Sequence, residues 1–189
     1  MTMNEARVIV IINDDADDVN LLRRNLIDDS GENYRFIVTE SGAKGIQACL
    51  SLAQRPPDCV IVDLHLPDMG GLDVLNGLKD EAGDIRVPVV LFIDTGDQCK
   101  AASAALRAGA EDYIAKSWMT PDGLACSVEN AIERFRLRER LRKKRATLER
   151  QDREFKAIVE NVPDIIAQFD KEYRHLYICL LYTSDAADE

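Results

Sequence analysis

The chain has 189 residues, 46% hydrophobic and 31% charged, with a formal net charge of −10, a composition ordinary for one or two globular domains. No apolar run approaches the roughly 18 residues a membrane span needs, and the opening MTMNEARVIV lacks the charged-then-apolar order of a secretion signal; a cytoplasmic location with no membrane partner is expected. Residues 1–128 carry 11 basic and 21 acidic groups, which argues against a nucleic-acid partner, because phosphates need cationic cover.

The first 128 residues alternate between apolar runs and helical patterns. Arg7–Asn13 (RVIVIIN) is too short for a helix and reads as a buried strand. Asp17–Ile27 follows as a helix with Val19, Leu22, Leu26 and Ile27 on one face. Residues 35–39 read as a strand, 41–54 as a helix, Cys59–Asp63 (CVIVD) as a third strand and 72–79 as a third helix. Val87–Ile93 (VPVVLFI) is a fourth strand, the alanine-rich stretch 98–108 a fourth helix, and Asp112–Ala115 a short fifth strand. Thr120-Pro121 opens a fifth helix with an N-cap residue and a proline at the first helical position.

Strands alternating with helices imply a parallel sheet covered on both faces. Such sheets bind ligands at the carboxyl ends of their strands. The first and third strands end in Asn13-Asp14-Asp15 and in Asp63, so carboxylates converge there. The cysteines, Cys49, Cys59, Cys99, Cys126 and Cys179, are scattered with no CxxC pair, and reduced thiols are expected rather than a zinc site or disulfides.

Beyond Pro121 no helix breaker follows Gly123 until past Arg153, so the fifth helix is expected to continue as a long helix. Residues 129–153 carry 10 basic and 5 acidic groups, a pattern that suits a solvated helix face. Leu141, Leu148, Phe155 and Val162 recur every seven residues, as in one seam of a coiled coil, while the companion seam of Arg138, Arg145, Asp152 and Val159 is mostly polar. A helical linker over 129–154, with a homodimer through residues 131–153, is the expectation. From Phe155 the sequence FKAIVENVPDIIAQFDKEYRHLYI reads as a helix, a strand at Ile165–Phe169, a turn at Asp170–Glu172 and a second strand near His175.

IINDDADD, VIVDLHLPDMGGLDVL, VPVVLFIDTGD and AGAEDYIAKSW resemble, in order and spacing, the successive signatures of a response-regulator receiver domain of two-component signalling. The resemblance spans residues 1–128 and implies a doubly wound, flavodoxin-like α/β fold with a five-stranded parallel sheet. It implies that Asp63, in the Asp63–Pro67–Gly71 pattern, accepts a phosphoryl group from a histidine kinase or phosphotransfer protein. It further implies that Asp14, Asp63 and the backbone carbonyl of His65 hold Mg2+, with Asn13 and Asp15 as secondary neighbours, and that Lys116 contacts the phosphoryl oxygens. Tyr113 matches the aromatic partner of the family's hydroxyl switch. The switch residue itself departs from the pattern: counting forward from Pro88 gives Ile93, counting back from Gly109 and Lys116 gives Asp94, and Thr95 is the nearest hydroxyl. Asn13 also stands where the family has a second acidic residue, which removes a charge from the metal site.

Residues 155–178 resemble the opening of a PAS sensor domain. CLLYTSDAADE, residues 179–189, resembles the translation of a sequencing adapter and is set apart from function. The order receiver, helix, PAS suits a longer sensor histidine kinase or cyclic-dinucleotide enzyme, although no catalytic output domain is encoded in these residues. A non-switching pseudo-receiver is the other alternative. A haloacid-dehalogenase-like phosphatase is disfavoured because Asp63-Leu64-His65 lacks that family's second aspartate.

Overall fold

Val8–Ile12, Cys59–Val62 and Val89–Ile93 are unbroken runs of β-branched and apolar side chains. Only a strand covered on both faces removes all of them from water. In the computed structural model, residues 6–30, 33–52, 54–94, 98–161 and 166–179 are described. There β1 (Arg7–Ile12), β2 (Tyr34–Thr39), β3 (Cys59–Asp63), β4 (Val89–Ile93) and β5 (Asp112–Ala115) form a parallel sheet in the order β2-β1-β3-β4-β5. The connecting helices are α1 (Ala16–Ser30), α2 (Gly42–Ser51), α3 (Gly71–Gly77) and α4 (Gln98–Ala108). A short 3-10 turn (Lys116–Trp118) leads from β5 into α5 (Pro121–Asn161).

Side-chain alternation along the strands divides the core in two. Val10, Ile12, Val60, Val62, Leu91 and Ile93 face α2, α3 and α4, where they meet Cys49, Val74, Leu75 and Ala105. Ile9, Ile11, Ile61, Val90, Phe92 and Ile114 face α1 and α5, where they meet Leu22, Leu26, Leu124 and Val128. Leu124, Val128, Ala131 and Ile132 are spaced to lie on one stripe of α5, and all are buried. Polar ties fix α5 further: Arg7 pairs with Glu129, and Asp112 accepts from Ser127 at 2.8 Å and Arg134 at 3.0 Å.

Several boundaries differ from expectation. Ile27 is exposed, so the buried face of α1 is Val19, Leu22 and Leu26. The fourth strand starts at Val89 rather than Val87, and Pro88, which has no N–H to give a ladder, contributes only its carbonyl to Val60 N. Helix α2 ends at Ser51, where Leu52 N turns back to Cys49 O. Helix α4 ends at Ala108, as expected, and Gly109 follows with a φ of +108° that would strain a side-chain-bearing residue. Burial pushes the Cys49 thiol up to about 11 and raises Cys59 further, so both stay protonated thiols.

The chain divides into two units, Met1–Leu137 and Arg138–Glu189. In the second, β6 (Ile166–Phe169) and β7 (His175–Cys179) pair antiparallel. The Asp170 carboxylate organises their turn by accepting from Glu172 N at 2.9 Å and Arg174 N at 2.8 Å. The expected strand–turn–strand pattern is therefore present, with β7 reaching Cys179. Residues 180–189 and Val162 lie outside the described residues. Along α5, Arg145–Glu149, Arg150–Glu154 and Lys156–Asp152 form ion pairs four residues apart, each worth a few tenths of a kcal/mol in an exposed helix (about 0.3–0.5). No helix among the described residues is long and apolar enough to cross a membrane.

The loop after β3 is fastened to α2 through Asp68. Its two carboxylate oxygens accept from Gly42 N at 2.8 Å and Ala43 N at 2.9 Å, the first free amides of that helix. These backbone donors hold the Asp68 carboxyl below the usual value of 3.8. A folded value below the unfolded one makes the contribution fully present above pH 3.8 and lost as pH falls through the folded value. Asp68→Ala is expected to speed hydrogen exchange at the Gly42 and Ala43 amides at neutral pH, measured by NMR; unchanged exchange would exclude this fastening.

Candidate functional site

Asp63 is the last residue of β3 and points to the same face as Phe92, its partner across the β3–β4 ladder. The strand order reverses direction between β1 and β3, so the two chains leave the sheet on opposite sides and open a crevice at their carboxyl ends. Asp63 stands there, 5% exposed. A buried carboxylate needs its lone pairs met. Asn13 Nδ2 donates to Asp63 Oδ2 at 3.0 Å, and His65 N donates to Oδ1 at 2.9 Å. Lys116 Nζ stands 3.5 Å from Oδ2.

Lys116 follows β5 and lies with its ammonium 5.2 Å from the centroid of the Phe92 ring, a cation–π contact. It hydrogen-bonds Asp18, on the first turn of α1. Burial on its own would lower the Lys116 value. The hydrogen bond to Asp18 and the charges of Asp63, Asp18 and Asp94 outweigh it and hold the ammonium above its usual 10.5. Lys116 is thus a fixed cation facing carboxylates from three different segments.

Pro67 and Gly71 complete the pattern that Asp63 begins. The loop folds back so that Gly71 N donates to Leu64 O at 2.8 Å and starts α3 beside β3. A Cβ on Gly71 would sit 2.5 Å from the Asp63 carbonyl oxygen and 3.0 Å from Leu64 Cα. Only glycine permits that approach. Asp73 holds the same turn by accepting from Gly70 N at 3.1 Å.

The structure brings Asp63, Lys116 and Asn13 together. Asp14 follows directly at the end of β1, with an exposed side chain. Asn13 is the residue of that pair turned inward, 2% exposed, with Oδ1 accepting from Asp15 N at 2.8 Å. Asp15 does not join the site: its carboxylate accepts from Asp17 N at 2.8 Å and so caps α1. Ile93 ends β4 opposite Ala115 and is buried in the α4-facing core, so the last strand position carries no hydroxyl. Asp94 is exposed just beyond it, Tyr113 is 38% exposed on β5, and Thr95 lies outside the described residues.

Asp18 is the site residue that sequence reasoning overlooked.

Asp63 and the exposed Asp14 at the end of β1 are hard oxygen donors of the kind Mg2+ takes. Among the described residues no group of three or more His, Cys, Asp and Glu side chains is placed for a metal. Gly71→Ala is expected to cost about 1–3 kcal/mol through forced displacement at Asp63, read as a lower denaturant midpoint; an unchanged midpoint would show that the approach is not confining.

Residues 9–128 match the family model described as the response regulator receiver domain. Over 118 residues the chain is 36% identical to the transcriptional regulatory protein KdpE of Mycobacterium tuberculosis, covering 62% of this chain and 48% of that protein. Over 90 residues it is 39% identical to the regulatory protein LuxO of Vibrio cholerae, covering 48% of this chain and 19% of that protein. The chain thus spans half or less of these relatives' lengths. The crystal structure of the signal receiver domain of a putative LuxO repressor from Vibrio parahaemolyticus matches with TM-score 0.59 and 26% identity. It covers 72% of this chain and 97% of that one. NtrX from Brucella abortus in complex with ADP matches with TM-score 0.60 and 25% identity, over 72% of this chain and 29% of that one. The buried Asp63, its Asn13 and Lys116 partners, the 2-1-3-4-5 sheet and the match over residues 9–128 agree: the chain belongs to the response regulator receiver domain family of two-component phosphorelay signalling.

Proposed function

We propose that Asp63 is the phosphate-accepting carboxylate of this receiver and that a histidine kinase or histidine phosphotransfer protein is the donor. The supporting observation is a buried carboxylate at the switch point of the sheet, 3.0 Å from the Asn13 amide and 3.5 Å from the Lys116 ammonium. In the transfer an Asp63 oxygen attacks phosphorus. The O–P bond forms, the N–P bond of the phosphohistidine breaks, and its electron pair returns to the imidazole nitrogen. Positioning and charge do most of the work in such transfers. The Asn13 and His65 N–H groups fix the carboxylate, and Lys116 offsets charge on the phosphoryl oxygens. Asp14, Asp63 and the His65 carbonyl are the proposed holders of Mg2+, which supplies further positive charge when bound. Asn13 would add no charge to such a site.

After incubation with acetyl phosphate and Mg2+, intact mass spectrometry is expected to show one phosphoryl adduct, absent from Asp63→Asn. An equal adduct in that variant would overturn the assignment.

Downstream, the reading is that α5 carries the change toward residues 155–178, a PAS-like opening, and toward output sequence such as a histidine kinase or cyclic-dinucleotide enzyme. Leu141, Leu148 and Phe155 are exposed along α5, and a second copy of this helix is the proposed cover, over residues 131–153. The polar companion positions Arg138, Arg145 and Asp152 make that pairing weak. Buried Ile93 in place of a hydroxyl favours a second reading, a pseudo-receiver that binds without the usual switching. In analytical ultracentrifugation the chain is expected to dimerise at high micromolar concentration and Leu148→Asp to remain monomeric with Asp63 still phosphorylated. A strict monomer for the unaltered chain would remove the dimer.

A further inference from the structure

Lys116 has two carboxylate partners of different standing. It hydrogen-bonds Asp18 and stands 3.5 Å from Asp63. Both members of the Asp18 pair are mostly buried, with side chains 16% and 24% exposed, so water screens this pair less than a surface one. Asp18 itself sits on a helix turn already capped by Asp15, so its carboxylate is not required to satisfy a helix amide. Lys116 extends from the other end of the chain, 98 residues away, across the Phe92 ring. A phosphoryl group on Asp63 would compete with Asp18 for the same ammonium.

From this geometry we infer that Asp18 is a positioning residue for Lys116. It holds the lysine on the α1 side of the crevice while Asp63 is unmodified and competes with the phosphoryl group for it. The inference rests on the assignment of Asp63 as phosphate acceptor. The charge count supports competition rather than help. Asp18, Asp63 and Asp94 are three carboxylates around one lysine, and an added phosphoryl dianion makes the deficit of positive charge larger. Lysine is a point charge on a flexible stem with three donors, so it can swing from Asp18 toward a phosphoryl oxygen without any change in the backbone. The strength of the Asp18 contact therefore sets how readily Lys116 is released to the phosphoryl group.

The test is beryllofluoride binding in the presence of Mg2+, measured by isothermal titration calorimetry on the full chain. Asp18→Asn keeps the shape and removes the charge. It is expected to bind beryllofluoride about three- to tenfold more tightly, the scale of one partly buried ion pair. Asp18→Glu retains the charge and is expected to keep the affinity of the unaltered chain. In a Lys116→Met background, Asp18→Asn is expected to change nothing, because the effect runs through the lysine. Equal or weaker binding by Asp18→Asn overturns the inference while leaving the acceptor assignment intact. A gain that persists in the Lys116→Met background also overturns it, since Asp18 would then act by direct repulsion. Failure of the unaltered chain to bind beryllofluoride would overturn both this inference and the acceptor assignment.

Discussion

One charge imbalance organises the functional end of this molecule. Asp63 is a nearly fully buried carboxylate, and the groups that make its burial tolerable come from three places in the chain: the Asn13 amide after β1, the His65 N–H in the following loop and the Lys116 ammonium after β5. An isolated charge at this depth is costly, and one supplied with donors is not. The same donors leave the carboxylate fixed in direction and poised toward the crevice.

The sheet exists in the form that brings these segments together. β1 and β3 are adjacent central strands, and their carboxyl ends deliver Asn13 and Asp63 to one spot. β5 lies two strands from β3, so its following residue reaches Asp63 only with a long side chain, and lysine provides one. Phe92, paired with Asp63, forms the floor over which that chain passes. Gly71 and Asp68 hold the β3–α3 loop at both ends, one by allowing backbone contact with Asp63 and the other by binding the start of α2. These are constraints of space and hydrogen bonding, and they explain why a glycine stands at position 71 beside Asp63.

Much of this was legible in the sequence because it is written in local pattern. Unbroken apolar runs name the buried strands, their alternation with helices names the parallel sheet, and acidic residues at the ends of the first and third strands mark the crevice. Asp63 and Asn13 were found in this way, and Lys116 through the resemblance to receiver domains. Asp18 was not, because its partner is 98 residues away and nothing in a helical turn declares which long-range cation it meets. Asp15 was given to the site, yet a carboxylate just before a helix is drawn to the helix's free amides. Ile27 has the chemistry of a core residue but lies on the turn of α1 that leaves the sheet, and periodicity over so few turns does not separate the two. The position of the missing hydroxyl required the ladder itself: only pairing with Ala115 places Ile93, and not Asp94, at the end of β4.

With Asp63 as the proposed acceptor, Lys116 is the group that answers the charge placed on it. A crystal structure of the chain with Mg2+ and beryllofluoride addresses both at once. Beryllium is expected to be bonded to an Asp63 oxygen, with a fluorine within hydrogen-bond distance of Lys116 Nζ and the metal held by Asp14, Asp63 and the His65 carbonyl. Beryllofluoride bound away from Asp63, or bound there with Lys116 making no contact to it, would overturn both assignments.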